Sequence, residues 1–99
     1  MFSGGSYDDV ARWLKNFLTS HAKREDPRIE VLLDPGDERE GRSYGARLKF
    51  GEHVGPLVEF DFQDVATNRG NYAWCVALAQ RTRESAREHL LAAPSATAR

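Results

Sequence analysis

The sequence predicts an α+β fold of α-β-β-β-α order, a two-layer sandwich in which a three-stranded antiparallel meander carries two helices packed on one face. Three observations predict it. The stretch from Tyr44 to Phe62, YGARLKFGEHVGPLVEFDF, holds two alternating runs around a glycine-flanked loop and so reads as an antiparallel hairpin. A shorter run before it, RIEVLLD, alternates in the same way. The segments on either side of these strands space their apolar residues at three and four, the signature of helices with one greasy stripe. A sheet with one apolar face and two helices with one stripe each solve their burial together by stacking.

Length and charge bound what such a fold can do. Ninety-nine residues suit one small domain, which buries roughly 60–65% of the surface its unfolded chain exposes and depends on one continuous core. We expect that domain over residues 7–91, with disordered tails at 1–6 and 92–99. The chain is 40% hydrophobic and 29% charged, the balance of a folded globule. Fourteen basic against fifteen acidic residues give a net charge of -1, which supplies no bulk field toward nucleic acid or an anionic membrane. The one cysteine, Cys75, has no internal disulfide partner, and the opening MFSGGSYDDV has neither the charged nor the apolar part of a secretory leader. A cytoplasmic, reduced protein without a membrane anchor is the expectation.

Taken in order, the first helix begins near Tyr7, because Ser6 and Asp9 stand at capping-box spacing and Asp8 and Asp9 favour the positive end of the helix dipole. Val10, Trp13, Leu14, Phe17 and Leu18 form its stripe. Pro27 disfavours helical geometry at Asp26, so the helix stops by Arg24. Ile29, Val31 and Leu33 then face one way along a strand over 28–34, with Glu30 and Leu32 facing the other. The loop DPGDEREGRS leads into the hairpin. With a loop over 51–55, Leu48 faces Val58, Ala46 faces Phe60 and Tyr44 faces Phe62, while Arg47 falls opposite Glu59 on the outer face.

The last helix starts somewhere between Asp64 and Tyr72. From Tyr72 onward Cys75, Val76, Ala79, Ala86 and Leu90 join Tyr72 on one side at 100° per residue, which predicts the core stripe and leaves Arg83 near its middle as a side chain that either snorkels along the core edge or marks where the helix overhangs the sheet.

No catalytic, cofactor or metal motif stands out. Glu59, Asp61 and Asp64 form a carboxylate cluster that Arg47 and Lys49 neutralise; the loop acids Asp34, Asp37, Glu38 and Glu40 lack calcium-loop spacing; and His21, His53 and His89 share no ligand spacing with each other or with Cys75. Two surfaces remain. Trp74 lies about 160–200° around the last helix from Tyr72 and Val76, with Leu78 and Arg81 beside it, which has the composition of an interface anchor unless the first helix covers it. The outer sheet face offers Leu32 and Leu57 as apolar contacts with Arg47 and Glu59 among its charges, either a docking face or an ordinary solvated one. The expected function is therefore a small non-enzymatic interaction module, with a protein partner or a second copy of itself.

The element order also resembles that of the double-stranded-RNA-binding domain, over most of the chain but in topology alone. That resemblance implies duplex RNA binding. The family places a Gly-Pro and a His in the first strand-to-strand loop and a lysine cluster at the start of the last helix; here the loop is DPGDEREGRS, the Gly-Pro is Gly55-Pro56 in the next loop, and the helix opens NRGNYAWC with only Arg69. A duplex-reading surface needs several convergent cations.

Overall fold

The structure is a computed structural model that describes residues 6–34, 39 and 41–91. The expected tails, apart from Ser6, and most of the charged loop after Asp34 lie outside the described residues. Three helices and a four-strand antiparallel sheet make an α+β fold. Helix α1 spans Tyr7–Glu25, strand β1 Glu30–Asp34, β2 Ser43–Phe50, β3 His53–Val54, β4 Val58–Asp61, helix α2 Phe62–Asn68 and helix α3 Tyr72–Ala86, which widens into a π turn over Arg87–Leu91. Among the described residues, no helix is long and apolar enough to cross a membrane.

Helix α1 begins where the sequence places it: Ser6 Oγ accepts the Asp9 amide at 3.1 Å. It ends at Asp26, whose extended backbone turns the chain toward β1. Val10, Leu14, Leu18 and Ala22 are its buried line, and they meet Ile29, Val31, Tyr44, Ala46, Val65, Leu78, Ala86 and Leu90 in one core.

Strand β2 is the centre of the sheet, with β1 on one side and β3 and β4 in succession on the other. The hairpin register differs from the expected one by two residues. Tyr44 pairs with Phe60, Ala46 with Val58 and Gly45 with Glu59, so each side chain keeps its expected face while every expected pair is displaced. The cause is a tighter turn and a bulge. Gly51-Glu52 forms a two-residue turn, with Gly51 at φ 64°, and sets His53 against Phe50 and Val54 against Lys49. Three residues, Gly55, Pro56 and Leu57, then stand against Arg47 and Leu48 before pairing resumes at Val58. Pro56 cannot donate to a ladder, and the bulge bends the strand there.

Phe62 is the second departure. Its amide donates to the Arg42 carbonyl at 2.8 Å and completes the ladder, but Asp61 caps a helix at that point, its carboxylate accepting the Asp64 amide at 3.0 Å. Phe62 thus opens α2. Its ring packs 5.6 Å from Tyr7 and 6.3 Å from Tyr44, while Tyr7 and Tyr44 stack at 4.6 Å. The Tyr44 hydroxyl donates to the Tyr7 carbonyl at 2.8 Å, and the Tyr7 hydroxyl donates to the Ser43 carbonyl, tying the start of α1 to β2. Burial pushes the Tyr44 hydroxyl well above the ordinary phenol range.

Helix α3 starts at Tyr72 with Asn71 as its cap, accepting the Trp74 amide at 3.1 Å, and its buried face matches the expected one only toward its end. Ala86 and, beyond it, Leu90 are buried as expected, but Leu78 and Thr82 are buried too, whereas Tyr72 is 84% and Val76 41% exposed. The physical reason is the neighbour. Helix α3 leans on α1, with Trp74 6.4 Å from Trp13 at one end and the Glu25 carboxylate taking Arg83 Nε at 2.7 Å and Arg87 Nη1 at 2.9 Å at the other. The two helices therefore run in the same direction. Arg83 does not snorkel; it holds the helices together, and the two guanidiniums, Arg83 foremost, keep the Glu25 carboxyl below the usual range.

Candidate interaction groove

Because α3 leans on α1, it leaves part of the sheet uncovered. Over β2 and β4 the core face opens into a groove of about 250 Å³. Leu18, Ala46 and Leu48 form its floor, Val58 and Phe60 one wall, and Leu78, Thr82 and Ser85 of α3 the other. One end is shut where the π turn reaches the sheet. A Cβ built on Gly55 would lie in ordinary contact, 3.8 Å from Leu90 Cδ2 and 3.9 Å from His89 Cβ, so the turn packs against the strand there. Val58 is 36% exposed and Phe60 half-buried, an unusual state for side chains on the inner face of a sheet. The Thr82 hydroxyl does not offer itself to a ligand, because it donates to the Leu78 carbonyl of its own helix at 2.8 Å.

Charged groups sit on the rim. Arg81, Glu84, Glu88 and His89 project from α3 and the π turn, all exposed. A few hundred cubic ångströms with an apolar floor and an open mouth falls below the roughly 300–1,000 Å³ of sites that engulf a drug-sized ligand. It has the scale of a groove that takes a few side chains.

The residues expected to form interfaces fall in different places. Leu78 is 4% exposed and belongs to the core, so of its two expected positions it takes the one against the first helix and not the outward one. Trp74 is half-buried in the seam with Trp13, which itself stacks on Phe17 at 4.9 Å. Arg81 is exposed and reaches the groove. On the outer face Leu32 is 39% exposed and Leu57 half-buried. Arg47 is paired with Leu32 of β1 and does not oppose Glu59. Glu59 is instead held by Arg39, whose Nη1 donates to both carboxylate oxygens at 2.7 and 2.8 Å.

Gly45 makes that ion pair possible. A Cβ there would stand 3.0 Å from Arg39 Cζ and from Leu57 Cδ1, so the guanidinium and the leucine lie directly on the strand. No sequence signal announces Arg39, which sits in a charged loop twenty positions from its partner.

The remaining candidates are occupied locally. Of the carboxylate cluster, Glu59 binds Arg39, Asp61 caps α2, and Asp64 accepts the Asn68 amide group at 2.9 Å. Cys75 is half-buried with its thiol donating to the Arg69 carbonyl at 3.4 Å. His21, on α1, tilts against Phe17 at 4.5 Å, and burial, with Arg24 and Arg83 nearby, pushes its pKa down. His53 lies at the hairpin turn and His89 on the π turn, so the fold does not gather the three histidines. Among the described residues, no group of His, Cys, Asp and Glu is arranged to hold a metal ion.

The start of α3, where the RNA-binding family places its lysines, presents Tyr72, Ala73, Val76 and Ala77 to solvent. The fold and groove define a small α+β domain with an apolar cleft between a helix and a sheet edge. No family model, curated protein or solved structure matches the chain.

Proposed function

We propose that this chain is a small non-enzymatic interaction module that receives an extended polypeptide segment in the groove between α3 and β4. The observation that carries the reading is the uncovered inner face of β4: Val58 and Phe60 expose apolar surface that the domain's own helix does not reach. The titratable side chains around it stand on the rim and do not converge on a common point, an arrangement that orients a partner and leaves the contact itself to apolar side chains. A reduced, cytoplasmic setting suits the lone cysteine. The outer sheet face is a poorer candidate, because Arg39 lies across it and holds Glu59.

The test is selection of a displayed random dodecapeptide library on the purified protein, followed by binding to a Val58→Glu variant. Val58 is partly exposed, so the variant should melt within a few degrees of the parent. The reading requires enriched peptides whose affinity falls at least tenfold in the variant. No enrichment, or peptides indifferent to Val58→Glu, overturns it.

A further inference from the structure

We infer that the seam between α1 and α3 is a proton-sensitive latch with His21 as its sensor: charging the imidazole releases α3 from α1 while the sheet stays in place. The latch concerns how the helices are held and does not depend on what the groove receives.

The spacing along α1 is the first argument. Trp13, Phe17, His21 and Glu25 recur at every fourth residue, so their side chains form one row on the helix. Both ends of that row meet α3. Trp13 lies 6.4 Å from Trp74, and the Glu25 carboxylate takes Arg83 Nε at 2.7 Å and Arg87 Nη1 at 2.9 Å. Between them Phe17 stacks on Trp13 at 4.9 Å and His21 tilts on Phe17 at 4.5 Å. The imidazole therefore stands inside the seam, half-buried, with a ring one turn before it and a carboxylate one turn after. The sheet and the bonds that tie Tyr7 to β2 lie off this row and do not depend on it.

Charge is the second argument. Around His21, α1 supplies Arg24 and Glu25, and α3 with its π turn supplies Arg83 and Arg87. Three guanidiniums thus stand against one carboxylate, which two of them already bind. Asp26, the next carboxylate along, is bound to Arg28. A proton on His21 adds a fourth positive charge to this cluster. Burial foremost, then Arg24 and Arg83, hold the imidazole below its ordinary pKa of 6.5. Releasing α3 hydrates the ring and takes Arg83 away, so the released state binds the proton more tightly. The latched seam is then fully stable above about pH 6.5 and loses stability as pH falls below that value. Glu25 responds in a separate range, because Arg83 foremost holds its carboxyl below the ordinary 4.5 and keeps it charged down to lower pH. Between those two limits His21 is the member of the row that titrates.

The experiment takes the whole chain and a His21→Gln variant from about pH 7.5 to about pH 5. Tryptophan emission, amide-exchange protection and NMR of the His21 ring read the outcome. Both tryptophans lie in the seam, so its opening should move their emission to longer wavelength. Protection of the Leu78 and Thr82 amides should fall by about threefold or more relative to that of Ala46 in β2. The midpoint should coincide with the titration of the His21 ring and lie below 6.5. His21→Gln should abolish both changes. If the variant loses protection as the parent does, or if neither loses any, the inference falls. It falls also if the ring titrates at 6.5 or above, or if the seam opens at a pH where the ring does not titrate. Should His21→Gln fail to fold, the coincidence of the two midpoints in the parent decides the matter.

Discussion

Asp26 shows how a single side chain turns the chain from one layer into the other. Its backbone leaves the helix at φ -159°, and its carboxylate then gathers the next residues: Oδ1 accepts the Arg28 amide at 2.9 Å and Nε at 3.0 Å, and Oδ2 accepts Nη2 at 2.9 Å. The Arg28 side-chain bonds, foremost, and the backbone bond hold the Asp26 pKa at about 2, from an ordinary 3.8. The unfolded chain takes up the proton first as pH falls, so the carboxylate stabilises the fold fully above about pH 4 and loses that contribution as pH approaches 2. Asp26→Asn keeps an acceptor but removes the charge. Its melting temperature should lie below the parent's at pH 7, and the gap should close between pH 4 and pH 2. Thermal melts across that range check it, and a gap that stays constant with pH shows that the carboxylate's charge plays no part.

The elements differ in how plainly the sequence announced them, and the differences have physical causes. Helix α1 was legible to its cap because its apolar residues fall on one continuous stripe and Ser6 stands at capping distance from Asp9. The faces of β2 and β4 were legible because strand alternation survives any even shift, but their register was not, since the two-residue turn and the bulge at Gly55–Leu57 leave that alternation unchanged. The face of the first turns of α3 was misread because YAWCVALA is apolar nearly all round, so only the position of α1 decides which arc is buried there, while Ala86 and Leu90 are buried as expected. That error carries into the site: the groove exists because α3 leans on α1, and no sequence period encodes a lean. Arg81 was legible as an outward cation, while the role of Gly45 as the floor beneath Arg39 was not. Gly45→Val tests that role. Valine suits a central strand by propensity, but its added carbons meet Arg39 and Leu57 at 3.0 Å or closer, and overpacking of this kind costs about 1–3 kcal/mol. In an Arg39→Ala background the part of the cost due to Arg39 should disappear while that due to Leu57 remains, and a denaturant double-mutant cycle reads the difference. Equal costs in the two backgrounds would remove Arg39 from the account of why glycine stands there.

For the molecule as a whole, an uncovered patch of sheet is a loss of stability that a chain this small feels. Natural domains sit only a few kcal/mol above unfolding, and apolar area left in water forgoes about 25 cal/mol per Å². Ser85 is the position from which this chain could have closed the gap: it lies half-buried on the groove side of α3, across from Val58 and Phe60. Ser85→Leu places a branched apolar side chain into the cleft and exchanges a weaker helix former for a stronger one. Together these should add about 1 kcal/mol, which for a domain of this size raises the melting temperature by roughly 4–8 °C. The same leucine occupies the space a bound segment would use, so peptides selected on the parent should lose at least tenfold in affinity as stability rises. This opposition separates an open functional groove from a packing defect, because filling a mere defect gains stability and forfeits nothing. A variant that melts lower than the parent would mean that Ser85 has no room to grow, that the cleft is closed in solution, and that the partner contacts some other surface.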